Sequence, residues 1–211
     1  GYAFDVRDHT AVAAALAAFA EAAGPIDVLV SGAAGNFPAL AKDISPNGFK
    51  AVVDIDLLGT FHVMKAAYPV LRRPGGSVIN ISAPQSFIPM RYQASACAAK
   101  AGVDQLTRVL ALEWGGDGVR VNSISPGPIA GTEGMRKLTA PSELEAAVAA
   151  VPLQRLGTPD DIAHLAMFLA SPYASYISGA LIPCDGGGAI DSVKPMIEAA
   201  GRLAAEKAQT E

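Results

Sequence analysis

Cysteine is scarce: Cys97 and Cys184 are the only two, and neither has a metal-ligating residue at a recognisable spacing around it. This excludes a disulfide framework and a cysteine-built metal centre. Cys97, on a helix of small residues, reads as a buried thiol rather than a nucleophile, and a reducing cytoplasm fits the cysteine usage best. Excess positive charge is missing too, with 16 Lys and Arg against 20 Asp and Glu and a net charge of −4. No basic stripe exists to hold nucleic acid, so a phosphorylated ligand must be met locally by backbone amides or a few cationic side chains. No apolar run reaches the ~18–20 residues that a membrane-spanning helix needs, and Gly1 to Asp5 carries no signal-peptide pattern. The expectation is a soluble protein without membrane insertion. Internal repeats and low-complexity blocks are also absent.

What the 211 residues do contain is 51% hydrophobic side chains, 21 glycines and 15 prolines, the composition of a loop-rich domain with a core of its own. Tyr2–Val6 reads as a strand end. An alanine-rich helix follows from Thr10, its expected N-cap, to Ala23, where Gly24-Pro25 stops it. Ile26–Val30 is an apolar strand running into the tiny side chains of Ser31-Gly-Ala-Ala-Gly35, where a backbone can approach a ligand closely. Further helices are predicted at 46–71 and 93–114, and one from Thr158 or Asp160 to Ala170. Further strands are predicted at 77–81, 119–124 and 180–183. Segment 130–157 reads as a mobile insertion with a short helix near 142–150, and Asp185-Gly-Gly-Gly188 follows the last strand.

Strands apolar on both faces that alternate with helices predict a parallel sheet covered on each side, a three-layer, doubly wound α/β fold. Residues 1–190 form one domain in this reading, and 191–211 a helical C-terminal tail. Ligands of such sheets bind outside the carboxyl ends of the strands. The loops 31–36, 82–91 and 125–132 all follow strands.

The most informative position is again an absence. Lys100 stands in the first turns of the 93–114 helix, and four residues before it, on the same helical face, is Ala96. A tyrosine there would set a phenol beside an ammonium, ready for carbonyl chemistry. That phenol is missing.

Several ordered motifs carry a resemblance. They are Asp5-Val6, Asp27-Val-Leu-Val, Gly76-Ser-Val-Ile-Asn-Ile-Ser82, the helix bearing Lys100, Arg120-Val-Asn-Ser-Ile-Ser-Pro-Gly127 and Asp185-Gly-Gly187. Each is weak alone; as a set they make the chain resemble the short-chain dehydrogenase/reductase family over nearly its whole length. The resemblance implies a Rossmann-like sheet and a nicotinamide cofactor. Asp5 and Val6 would flank its adenine. Ala33, Ala34, Gly35, Ile81, Ser82 and Lys100 would lie along it, and Pro126, Gly127, Pro128, Ile129 and Thr132 would line the nicotinamide. It further implies dimers or tetramers built on helices 46–71 and 93–114. The family opens with a strand, a glycine-rich turn and a phosphate-binding helix, the first β-α-β portion. Nothing before Asp5 supplies these, so roughly fifty to sixty residues of the pattern are expected to be missing.

The family's usual catalytic Asn, Ser and Tyr positions hold Asp56, Ala83 and Ala96 here, and only the lysine remains. One branch has this pattern, the 2,4-dienoyl-CoA reductases. The chain resembles it at Ala-Ala-Gly-Asn-Phe (33–37), Asp54-Ile-Asp56, Ala-Ala-Lys (98–100), Leu-Glu-Trp-Gly (112–115), Gly131-Thr-Glu-Gly134 and Pro152-Leu-Gln-Arg-Leu-Gly157. Asp56 is similar to the peroxisomal type, as would be the location in a eukaryote. The other type carries a tyrosine where this chain has Gln85.

Reducing a conjugated dienoyl thioester places hydride on carbon and charge on the thioester oxygen. The site then needs an oxyanion stabiliser and a proton source, but no base on an alcohol. The resemblance thus implies NADPH as cofactor, an acyl-CoA as substrate, Asp56 and Lys100 as catalytic residues, and no metal. Asn36, Phe37, Gln85, Tyr92 and Arg136 are candidate substrate contacts, with loop packing as the other reading of Tyr92 and a solvated charge that of Arg136. The charge of Asp56 is open at this level, because burial favours the neutral acid and Lys100 the carboxylate. Two other functions fit less of the pattern: a carbonyl reductase with rewired catalysis, and a non-catalytic oligomer subunit. His9, His62 and His164 read as surface or packing residues.

Overall fold

The computed structural model describes residues 1–138 and 140–190; the expected tail helix of 191–211 lies outside the described residues. Four parallel strands make one sheet in the order β1 (Val28–Ser31), β2 (Ser77–Ile81), β3 (Arg120–Pro126), β4 (Leu181–Cys184). Helix α1 spans His9–Ala23, α2 Pro46–Val53, α3 Gly59–Ala67, α4 Ala94–Trp114 and α7 Pro159–Ala170.

The core lies on both faces of the sheet, as strands apolar on each side require. On one face Leu29, Val78 and Val121 pack with Met64 and Ala67 of α3 and Leu110 and Trp114 of α4. On the other, Ile79 and Ile124 pack against Leu169 of α7. The three-layer α/β architecture with a parallel sheet expected from the alternation is the one observed, and among the described residues the strands follow one another in sequence order.

Several boundaries differ. Tyr2–Val6 is not a strand: β1 ladders only with β2, and the Val6 carbonyl accepts from His62 Nδ1 at 3.0 Å instead. The N-cap of α1 is Asp8 rather than Thr10, because its carboxylate accepts the Ala11 N–H at 3.0 Å. The 46–71 helix is continuous but not uniform. Between α2 and α3, Asp54–Leu58 forms a π-helical turn.

Segment 130–157 holds two short helices, α5 (Glu133–Leu138) and α6 (Leu144–Ala149), of which α5 was not expected. Both ends of the segment are tied down. The Ala130 and Gly157 amides donate to Gly157 and Pro128 carbonyls, and the Leu153 amide donates to Gly186. Helix α7 starts where Thr158 and Asp161 form a reciprocal capping box.

Candidate active site

The carboxyl ends of β1, β2 and β3 open into a cleft with two adjoining lobes, of about 330 and about 710 Å³. Gly32, Ile81, Ser82, Ala83, Gln85 and Gly134 border both. The smaller lobe holds Asp56 and Lys100 together with Ala34, Gly35, Asn36 and Ala96.

Two features bring Asp56 and Lys100 together. The π-turn carries Asp56 inward, and such one-turn insertions recur at functional sites. Next to it, Leu57 lies over Gly102 of α4 so closely that a Cβ there would sit 2.8 Å from Leu57 Cδ2. Lys100 is presented by α4, which is anchored to the sheet below. Thr107 Oγ1 accepts from Asn80 Nδ2 at 2.8 Å and meets Ser123 Oγ at 2.9 Å.

Both groups are buried, with 1% of Asp56 and 7% of Lys100 exposed. Lys100 Nζ donates to the Ile81 carbonyl at 3.0 Å and stands 3.7 Å from Asp56 Oδ2. Asp56 Oδ1 accepts the Gly35 amide at 2.7 Å. Burial pushes the Asp56 carboxyl above its ordinary range, opposed by the charge of Lys100 and then by the Gly35 amide. Burial pulls the Lys100 ammonium down, opposed by Asp56 and then by Asp104. Asp104 lies one turn along α4, and both its carboxylate oxygens are buried without a hydrogen-bond partner.

The cofactor residues expected along the strands fit a polar, close-approaching ligand. Ser82 Oγ is buried with no hydrogen-bond partner, and Lys100 uses only part of its donor capacity. Pro126, Gly127, Pro128, Ile129 and Thr132 line the larger lobe. Gly127 is required there, since a Cβ would fall 2.6 Å from the Asp185 Cα. Ala34 and Gly35 line the smaller lobe, and Ala33 is exposed beside them. Asp5 and Val6 do not line the cleft. Asp5 is exposed and paired with Arg7, and Val6 packs onto Gly59, where a Cβ would come within 2.7 Å of its Cγ2.

Of the expected substrate contacts, Asn36 and Gln85 line the cleft. Phe37, Tyr92 and Arg136 are exposed and outside it. Phe37 packs towards Gly48, and Arg136 pairs with Glu133 and the Gly131 carbonyl. Gln93 is a lining residue that the sequence reading missed. It occupies the N-cap of α4, where Ser, Thr, Asp or Asn is the usual choice, yet its side chain caps nothing. That mismatch was the available signal. No group of three or more potential metal ligands occurs among the described residues, and none of the helices searched there is long and apolar enough to cross a membrane.

A family model described as enoyl-(acyl carrier protein) reductase matches residues 2–188. The chain is 48% identical over 185 residues to a protein of Pongo abelii named peroxisomal 2,4-dienoyl-CoA reductase, (3E)-enoyl-CoA-producing. That match covers 87% of this chain and 63% of the relative, so the chain spans less than two thirds of that protein's length. A Bacillus subtilis protein named probable 2,4-dienoyl-CoA reductase, (2E)-enoyl-CoA-producing, is 44% identical over 88% of this chain and 75% of its own. Among solved structures, a short chain dehydrogenase from Bacillus anthracis superposes with a TM-score of 0.79 at 37% identity, covering 88% of this chain and 73% of its own.

Proposed function

The chain belongs to the short-chain dehydrogenase/reductase family, and we propose that it reduces 2,4-dienoyl-CoA thioesters with a hydride from NADPH. One observation carries the proposal. The buried Asp56–Lys100 pair shares its lobe with Ala83 and Ala96, so an acid–base pair faces two methyl groups at the positions where the family's serine and tyrosine hydroxyls would stand. An alcohol or ketone substrate needs a hydroxyl to bind its oxygen and move its proton. A conjugated thioester does not, because the new bonds to hydrogen both form at carbon. The names of the relatives point the same way.

When bound, the reduced nicotinamide supplies the hydride. Lys100 would hold its ribose hydroxyls through the N–H donors left after Ile81, with Ser82 Oγ beside it and the 126–129 loop as a wall. The same ammonium lends positive charge to a substrate oxygen that turns anionic. Asp56 Oδ2 faces Lys100 Nζ while Oδ1 is fixed by Gly35, so the pair stores the proton that ends on the substrate carbon. The 1–190 domain assembles as a dimer or tetramer in this proposal. Exposed Phe61 on α3 and exposed Val109 and Leu112 on α4 support it as apolar contacts.

The test is consumption of NADPH in the presence of 2,4-hexadienoyl-CoA, which the protein is expected to catalyse. Asp56→Ala and Lys100→Ala are each expected to lower turnover by roughly 10²–10⁴, the scale of general acid–base catalysis. No consumption by the unaltered protein, or near-normal rates in both variants, would contradict the proposal.

A further inference from the structure

Three carboxamides meet where the two lobes join. Gln93 Oε1 accepts from Asn36 Nδ2 at 2.9 Å and from Gln85 Nε2 at 2.8 Å. Asn36 belongs to the loop after β1, Gln85 to the turn after β2 and Gln93 to the start of α4, so three separate segments converge on one oxygen. Two donors on Oε1 fix which way the Gln93 amide faces. Its Nε2 then carries two N–H donors, and no described residue accepts from them. Gln93 lines the larger lobe, Asn36 the smaller and Gln85 both.

The backbone holds this arrangement against local preference. Tyr92, just before Gln93, has φ +67°, the left-handed region that a tyrosine rarely adopts. Its carbonyl accepts the Ala39 amide at 2.8 Å, and Ala39 pairs with Gln93 in an isolated parallel bridge. Gln93 also forgoes capping α4. A strained backbone, an unused cap and a doubly anchored amide oxygen thus hold a side chain that lines the cleft and keeps one pair of donors unused.

We propose that Gln93 is a specificity-determining residue that binds the thioester carbonyl oxygen through Nε2, with Asn36 and Gln85 as positioning residues. It takes the place of the missing phenol as the neutral donor to that oxygen, and it strengthens its hold as charge develops there. The inference rests on the dienoyl thioester reading above.

The test compares two ligands of the same length, 2,4-hexadienoyl-CoA and the S-alkyl thioether of CoA that lacks the carbonyl. Their dissociation constants are measured by calorimetry without nicotinamide. The unaltered protein is expected to prefer the thioester by on the order of tenfold, one well-placed hydrogen bond. Gln93→Glu keeps an oxygen for Asn36 and Gln85 but loses both N–H donors, and Gln93→Met keeps the volume alone. Both are expected to abolish the preference while thioether binding stays within about twofold, which a merely structural loss would not do. If either variant keeps the preference, or weakens both ligands equally, Gln93 is not the donor. If the unaltered protein binds neither ligand, the dienoyl-CoA reading fails and this inference with it.

Discussion

Asp56 and Lys100 carry opposite charges in a place that solvates neither, and their stability consequences follow from the directions of their shifts. The native Asp56 carboxyl titrates above 3.8, so the folded state holds the extra proton, and stability falls as pH rises from there through the native value. The native Lys100 ammonium titrates below 10.5, so stability recovers as pH rises from its native value to that point. Between these limits burial of the pair weighs against folding. Lys100→Met alone should cost about 3–5 kcal/mol, because it leaves a buried carboxyl without its partner. It should also move the Asp56 titration further up, since the lysine charge is what opposes burial there. Adding Asp56→Asn should restore stability to at least the starting level and flatten its pH dependence. Denaturant unfolding across pH, with a carboxyl NMR titration, checks both. A Lys100→Met variant as stable as the unaltered protein would remove the buried-pair account.

Asp56 and Lys100 were legible in the sequence because motif positions on local elements mark them. Gln93 was not. Its partners lie 57 and 8 residues away, and only the fold brings the three amides to one point.

At the scale of elements, helix α7 is set by its cap. Asp161 is held well below the usual carboxylate range, first by the Arg155 guanidinium and then by the Thr158 amide and hydroxyl. The contribution of this carboxylate to folding is therefore present above 3.8 and lost as pH falls through the depressed native value. Asp161→Asn should remove that acid-range slope from an unfolding titration, and Thr158→Ala should lower stability by about 1 kcal/mol. An unchanged slope in the first variant would show that the box does not act through charge. The capping pattern was readable because it is local. The π-turn at Asp54–Leu58 and the short helix α5 were not. One depends on Leu57 meeting Gly102 on another helix, and the other on a segment pinned to the loops around Gly157 and Gly186. The Tyr2–Val6 strand failed for the same reason, since a strand exists only through a ladder and this run has none.

At the scale of the whole molecule, the parallel sheet and its two apolar faces were legible, because alternation of strand and helix leaves few other architectures. The sheet gathers the 31–36, 82–91 and 125–132 loops at its carboxyl edge, and it is there that Asp56, Lys100, Ala83 and Ala96 share a wall. The central claim is that this wall directs hydride to the carbon chain of a conjugated thioester rather than to a carbonyl. The most direct measurement supplies NADPH carrying deuterium at the transferred position together with 2,4-hexadienoyl-CoA, and examines the product by mass spectrometry and NMR. The account predicts an enoyl-CoA with its thioester intact and one deuterium on a carbon of the former diene. Deuterium on the thioester carbon, in an aldehyde or alcohol, would contradict it.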